Sequence, residues 1–140
     1  MRISIIITVF IILTLQLTAC NKNKNIPTSD IVKKSIVDTD EIKIVYGDGN
    51  ELTMNDGVTV GRVKSLLKAM NYEEVDLPDT VGQNFTLKLS RERELYYISS
   101  GYLKINETLY KASNADIVTE LDDFVVNYGL QEIPDLLGKK

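Results

Sequence analysis

The sequence predicts an α+β domain, an antiparallel sheet of about five strands with two helices packed on one face. Three observations carry this. Phe85, Leu87 and Leu89 alternate with Thr86, Lys88 and Ser90, the period-2 pattern of a half-buried strand. The apolar runs after it are separated only by short turns, which leave no room for crossovers and force antiparallel pairing. Two stretches, 58–70 and 115–129, space their apolar residues by threes and fours, as amphipathic helices do. The order strand, helix, meander of about four strands, helix suits two layers around a single core.

Taken in order, the first strand is Ile42–Tyr46, with Ile42, Ile44 and Tyr46 on one face. Gly47-Asp48-Gly49-Asn50 brings glycine and Asx residues that tolerate positive φ, so the chain turns and Glu51–Met54 returns as a short strand. Asn55-Asp56-Gly57 leads into a helix whose Val60, Val63, Leu67 and Met70 share a side, with Arg62, Lys64 and Lys68 elsewhere. Asp56 or Thr59 is placed to cap it, and Gly61 lowers helix propensity while permitting close packing on a sheet. Tyr72–Leu77 reads as another short strand, and Pro78-Asp79 begins a loop through Gly82. In the meander, Arg91-Glu92-Arg93-Glu94 is a charged turn and Leu95–Ser99 runs back. Ser100-Gly101 turns again, and Tyr102–Ile105 and Thr108–Lys111 form a hairpin across Asn106-Glu107. Ser113-Asn114-Ala115-Asp116 has the capping-box form. The helix after it sets Ile117, Leu121, Phe124 and Tyr128 in one stripe, Glu120, Asp122 and Asp123 on the wet face, and Gly129 as its stop.

The N-terminus carries a different kind of signal. Met1-Arg2 precedes the apolar run Ile3–Leu15, the layout of a secretory signal peptide. At about 13 residues the run is short for ~30 Å of hydrocarbon, although an uncleaved transmembrane anchor is the rival reading. Leu17-Thr18-Ala19-Cys20 resembles the lipobox of bacterial lipoproteins, and the chain looks like the small lipoproteins of Bacillus-like bacteria: lipobox, polar spacer, one compact domain. That resemblance implies a diacylglyceryl group on the Cys20 thiol, a lipid bilayer as partner, and a place on the extracytoplasmic face of the bacterial cell membrane. Two acyl chains hold stably where one holds marginally. The bland alternative is that Cys20 is a small hydrophobe beside a signal. The expected organisation is a signal peptide over 1–19, lipidated cysteine and flexible linker over 20–40, an α+β domain over 41–129, and a tail over 130–140. Asn21 to Ser29 is polar and broken by Pro27, as a spacer would be. Asp30–Val37 reads either as a short helical turn or as the approach to the first strand. The tail, with Ile133 and Leu136-Leu137 around Pro134, docks loosely or stays mobile. The element order also resembles one repeat of the TATA-binding-protein type of fold, a likeness of topology that carries no function.

Composition narrows the chemistry. The 140 residues hold 16 lysines and arginines, 20 aspartates and glutamates, one cysteine and no histidine. A net charge of −4 argues against nucleic acid, whose phosphates need a basic patch. With Cys20 lipidated no intrachain disulfide exists. Without histidine neither a Ser-His-Asp or Cys-His arrangement nor a histidine zinc site can be built. Asp38, Asp40, Asp48 and Asn50 lack the spacing of a calcium loop. No metal or cofactor is expected, and the chain reads as a non-catalytic binding or regulatory module for an envelope protein or glycan. Tyr96, Tyr97 and Tyr102 are the candidate partner contacts, since tyrosine anchors partners well, although it is also simply a good strand residue. Alternation sends Tyr96 and Tyr97 to opposite faces. The alternatives are an inhibitor or immunity lipoprotein against a toxin, phage or lytic enzyme, and, further off, a carboxylate hydrolase with acids converging in a cleft.

Overall fold

The computed structural model describes residues 28–36, 39–76, 82–90 and 94–138. Helix α1 (Thr28–Ile36) precedes the hairpin of β1 (Ile42–Tyr46) and β2 (Glu51–Met54). Helix α2 (Gly57–Ala69) leads to β3 (Tyr72–Val75), and β4 (Phe85–Lys88), β5 (Leu95–Ile98), β6 (Tyr102–Ile105) and β7 (Thr108–Ala112) form the meander. Helix α3 (Ala115–Glu132) and a 3₁₀ turn at Leu136–Gly138 end the described chain. All strands join one antiparallel sheet in the order β2-β1-β4-β5-β6-β7-β3.

The class is α+β with an open antiparallel sheet, but the described residues hold seven strands and three helices rather than about five and two. Both edge strands fall in stretches that read as strands in sequence, β2 at Glu51–Met54 and β3 within Tyr72–Leu77. The count of about five falls short by these two edges, each of which buries a single residue, Met54 or Tyr72, fully. Helix α1 is short, and among its described side chains Val32 and Ile36, four residues apart, are buried, which is too little pattern to identify a helix.

The inward face is set by register. Ile44, Leu87, Tyr97, Leu103 and Tyr110 stand opposite one another across β1, β4, β5, β6 and β7, and all are buried. Val60, Val63 and Leu67 from α2, Leu121, Val125 and Val126 from α3, and Val32 and Ile36 from α1 join them in one core. The core therefore reaches past 41–129 on both sides, taking in α1 and, beyond α3, Leu136.

Local chemistry explains the ends of the helices. The Asp56 side chain accepts from the Thr59 N–H at 2.8 Å and caps α2, as its sequence predicts. The expected capping box on α3 does not form. Asn114 is the N-cap, yet its Oδ1 accepts from the Asn71 N–H at 2.6 Å, so the side chain ties α3 to the α2–β3 turn instead. Gly129 does not stop α3, which runs to Glu132. A Cβ there would collide with the Tyr46 hydroxyl and with Leu136, so the glycine is a close-packing site.

Candidate partner-binding face

Residues between the core positions point to the other face of the sheet. Two register rows define it. Lys43, Lys88, Tyr96, Lys104 and Leu109 lie opposite one another along the first. Val45, Thr86, Ile98, Tyr102 and Lys111 form the second. The buried side chains of α1, α2 and α3 all belong to the core on the opposite side, so no described helix packs here. Val45, Tyr96, Ile98 and Leu109 are half-buried, and Lys88 is exposed.

The three tyrosines named from the sequence have different fates. Tyr96 lies on this outer face between Lys88 and Lys104. Tyr97, its chain neighbour, faces the helices, is 0% exposed, and donates its hydroxyl to Asp122 Oδ1 at 2.8 Å. A partner on the sheet surface does not reach it, because alternation spends that position on the core. Tyr102 is on the outer face but only 6% exposed, with Lys111 Nζ 3.8 Å from its ring centroid. Among the described residues it is the buried apolar side chain that stands outside the core cluster.

Ion pairs surround the lysines. Lys43 pairs with Glu51, and Lys104 lies 3.2 Å from Glu94, every partner being substantially exposed. Such pairs contribute ~0–1 kcal/mol, so the ammonium groups can exchange partners at little cost. Lys111 Nζ donates to the Ser100 carbonyl.

The acidic residues of α3 lie in different surroundings. Glu120 lies 3.5 Å from Arg62, and Asp123 is exposed. Asp122 departs from the expected wet face: it is half-buried and accepts from both the Tyr97 hydroxyl and the Ser100 N–H, the latter at 2.7 Å. Burial raises its pKa above the usual aspartate value, against the lowering effect of those two hydrogen bonds. The Tyr97 phenol is pushed up as well, first by burial and then by the Asp122 charge. Ser100 has φ 75° and Gly101 φ 87°, and Gly101 sits tight against Val118, so Asp122 clasps the turned β5–β6 tip to α3. This role was hidden in the sequence; its faint signal was an acid adjacent to buried Leu121 and three residues before buried Val125.

A cleft of about 250 Å³ lies beside α2, lined in part by Asp40, Gly61, Lys64, Ser65 and Lys68. Lys64 Nζ donates to the Thr39 carbonyl at 3.0 Å across it. Its volume falls below the ~300–1,000 Å³ usual for small-molecule sites. Among the described residues no three His, Cys, Asp or Glu side chains are gathered as metal ligands, and no helix is long and apolar enough to cross a membrane. Leu17, Thr18, Ala19 and Cys20 lie outside the described residues. The chain matches no protein-family model, no curated protein and no solved structure.

Proposed function

We propose that the chain is a lipid-anchored, non-catalytic binding module on the extracytoplasmic face of a bacterial membrane, engaging an envelope partner through the outer face of its sheet. The observation that supports this reading is the one-sided packing: the helices of the described chain share one core, and the other face keeps half-buried apolar side chains around Tyr96. The lipobox resemblance supplies the anchor. From Cys20 to the start of α1 at Thr28 is eight residue steps, so at ~3.3–3.6 Å each the spacer holds the domain within about 30 Å of the acyl chains.

Two measurements test the reading. Labelling cells with a palmitate analogue should mark the parent protein and leave Cys20→Ser unmarked, since the serine hydroxyl does not supply the thiolate. Label that persists on Cys20→Ser overturns the anchor. Separately, the native lipidated protein should pull an envelope component from membranes, and Tyr96→Ala should lose it while keeping the parent's circular dichroism. Undiminished capture by Tyr96→Ala overturns the assignment of the face.

A further inference from the structure

The composition of the outer face runs against that of the chain. Lys43, Lys88, Lys104 and Lys111 stand in its two rows against three carboxylates, Glu51 and Glu73 in the rows and Glu94 paired with Lys104, in a chain where 20 acids outnumber 16 bases. Lys43 and Lys88 are direct cross-strand partners. Like charges placed opposite each other on one face are destabilising. Glu51, ion-paired with Lys43 and also near the Lys88 charge, offsets part of that repulsion, and Tyr96 stands next to Lys88 in the row.

From this we infer that the row Lys43–Lys88–Tyr96–Lys104 is a binding strip for an anionic glycan; the inference rests on the reading of the outer face as the contact surface. Three strand steps separate Lys43 from Lys104 in the sheet order, about 14 Å at ~4.8 Å per step. Cations are thus spaced along a line, with a phenol ring between Lys88 and Lys104 to stack on a sugar face. Charge complementarity selects an anion. Lysine is depleted from the cores of protein–protein interfaces, where arginine and aromatic residues are enriched, so a row of three lysines disfavours a protein partner. Lysine presents a compact point charge suited to carboxylates or phosphates met in sequence along a polymer.

The test uses the full lipidated protein in neutral nanodiscs, with polygalacturonate as the anionic probe and dextran as its uncharged control. Polygalacturonate should bind and dextran should not, and the affinity should fall at least tenfold between 50 mM and 500 mM salt as exposed charges are screened. Lys88→Glu should weaken binding at least tenfold, and Tyr96→Ala several-fold, with both variants keeping the parent's circular dichroism and melting temperature. If Lys88→Glu does not fold, Lys43→Gln and Lys104→Gln serve the same purpose. Absent binding, equal binding of dextran, or full affinity in the lysine variants overturns the inference. A fourth outcome also overturns it: protection of these lysines from reductive methylation by anionic nanodiscs but not by the soluble polymer, which would make lipid headgroups the ligand. Palmitate labelling of Cys20 is independent of all these readouts, so a failed anchor and a failed glycan site remain distinguishable. A protein captured from membranes through Tyr96 without any polyanion binding would keep the contact surface and overturn the glycan.

Discussion

Two glycines show how much a residue's role depends on what it faces. In sequence, Gly61 reads as the site of close packing and Gly129 as a helix stop; in the structure the close packing is at Gly129, and neither glycine ends a helix. A Cβ on Gly61 meets nothing within 4 Å, whereas one on Gly129 would overlap the Tyr46 hydroxyl and Leu136. The same hydroxyl donates to the Val125 carbonyl at 3.0 Å, so an added methyl would disturb a buried hydrogen bond as well. Gly61→Ala should therefore stabilise the domain by roughly 0.5–1 kcal/mol through helix propensity alone. Gly129→Ala should destabilise it by about 1–3 kcal/mol, overpacking outweighing the same propensity gain. Urea unfolding of the two variants gives the comparison directly. Two stabilising substitutions would mean that Gly129 is not packed as seen. Neither environment is legible in a sequence, because both glycines sit in good helical patterns and differ only in long-range neighbours.

At the scale of elements, α3 was legible in existence but not in phase. Ile117, Leu121, Phe124 and Tyr128 recur at helical spacing, but so do Val118, Leu121, Val125 and Gly129, and the two sets share Leu121. Reading by side-chain size favours the first set, because a glycine does not look like a core residue. The structure buries Leu121, Val125, Val126 and Gly129, and leaves Ile117, Phe124 and Tyr128 half-buried along the flank. The Arg62 guanidinium lies over the Phe124 ring, 4.6 Å from its centroid, which shows that ring to be reachable from the surface. Leu121→Ala should thus cost ~2–5 kcal/mol as a buried large-to-small change. Phe124→Ala should cost less than Leu121→Ala, and Asp123→Ala under ~0.5 kcal/mol on the exposed side. Chemical denaturation of the three variants ranks them. A Phe124→Ala loss larger than that of Leu121→Ala would place the buried stripe where spacing alone puts it. The edge strands make a related point: Glu51–Met54 and the start of Tyr72–Leu77 were legible as strands, but not as the two opposite edges of the sheet, which only long-range pairing decides.

Over the whole molecule, the outer face was readable only as a statement that Tyr96 and Tyr97 diverge, since the lysine row exists only once strand register is known. Long-range polar ties were equally invisible. Asp48 in the β1–β2 turn accepts from the Asn50 N–H and, 89 residues away, from the Leu137 N–H at 2.8 Å, pinning the C-terminal turn against which Leu136 is buried. These ties give the fold an opposed response to pH. The Asp48 carboxyl is held below its ordinary value of 3.8, first by the Leu137 N–H, and Asp56 is lowered by its Thr59 cap. Their stabilisation is present above the unfolded-state value and is lost as pH falls through the folded one. Asp122 has the opposite sign. Its pKa is raised by burial, so the folded state holds a proton that the unfolded state has released, and stability declines as pH rises from about 3.8 through the folded value. Tyr97, Ser100, Asp123 and Lys111 surround it, and the first two donate to its oxygens. Asp122→Asn removes the titration while keeping a carbonyl oxygen to accept from Tyr97 or Ser100. Its stability relative to the parent should therefore rise between pH 3 and pH 7, most steeply just above the ordinary aspartate range. Urea midpoints for both proteins at pH 3, 5 and 7 would show this. A relative stability that falls with pH would mean that the two hydrogen bonds outweigh burial, and that the ionised carboxylate is the form the fold prefers.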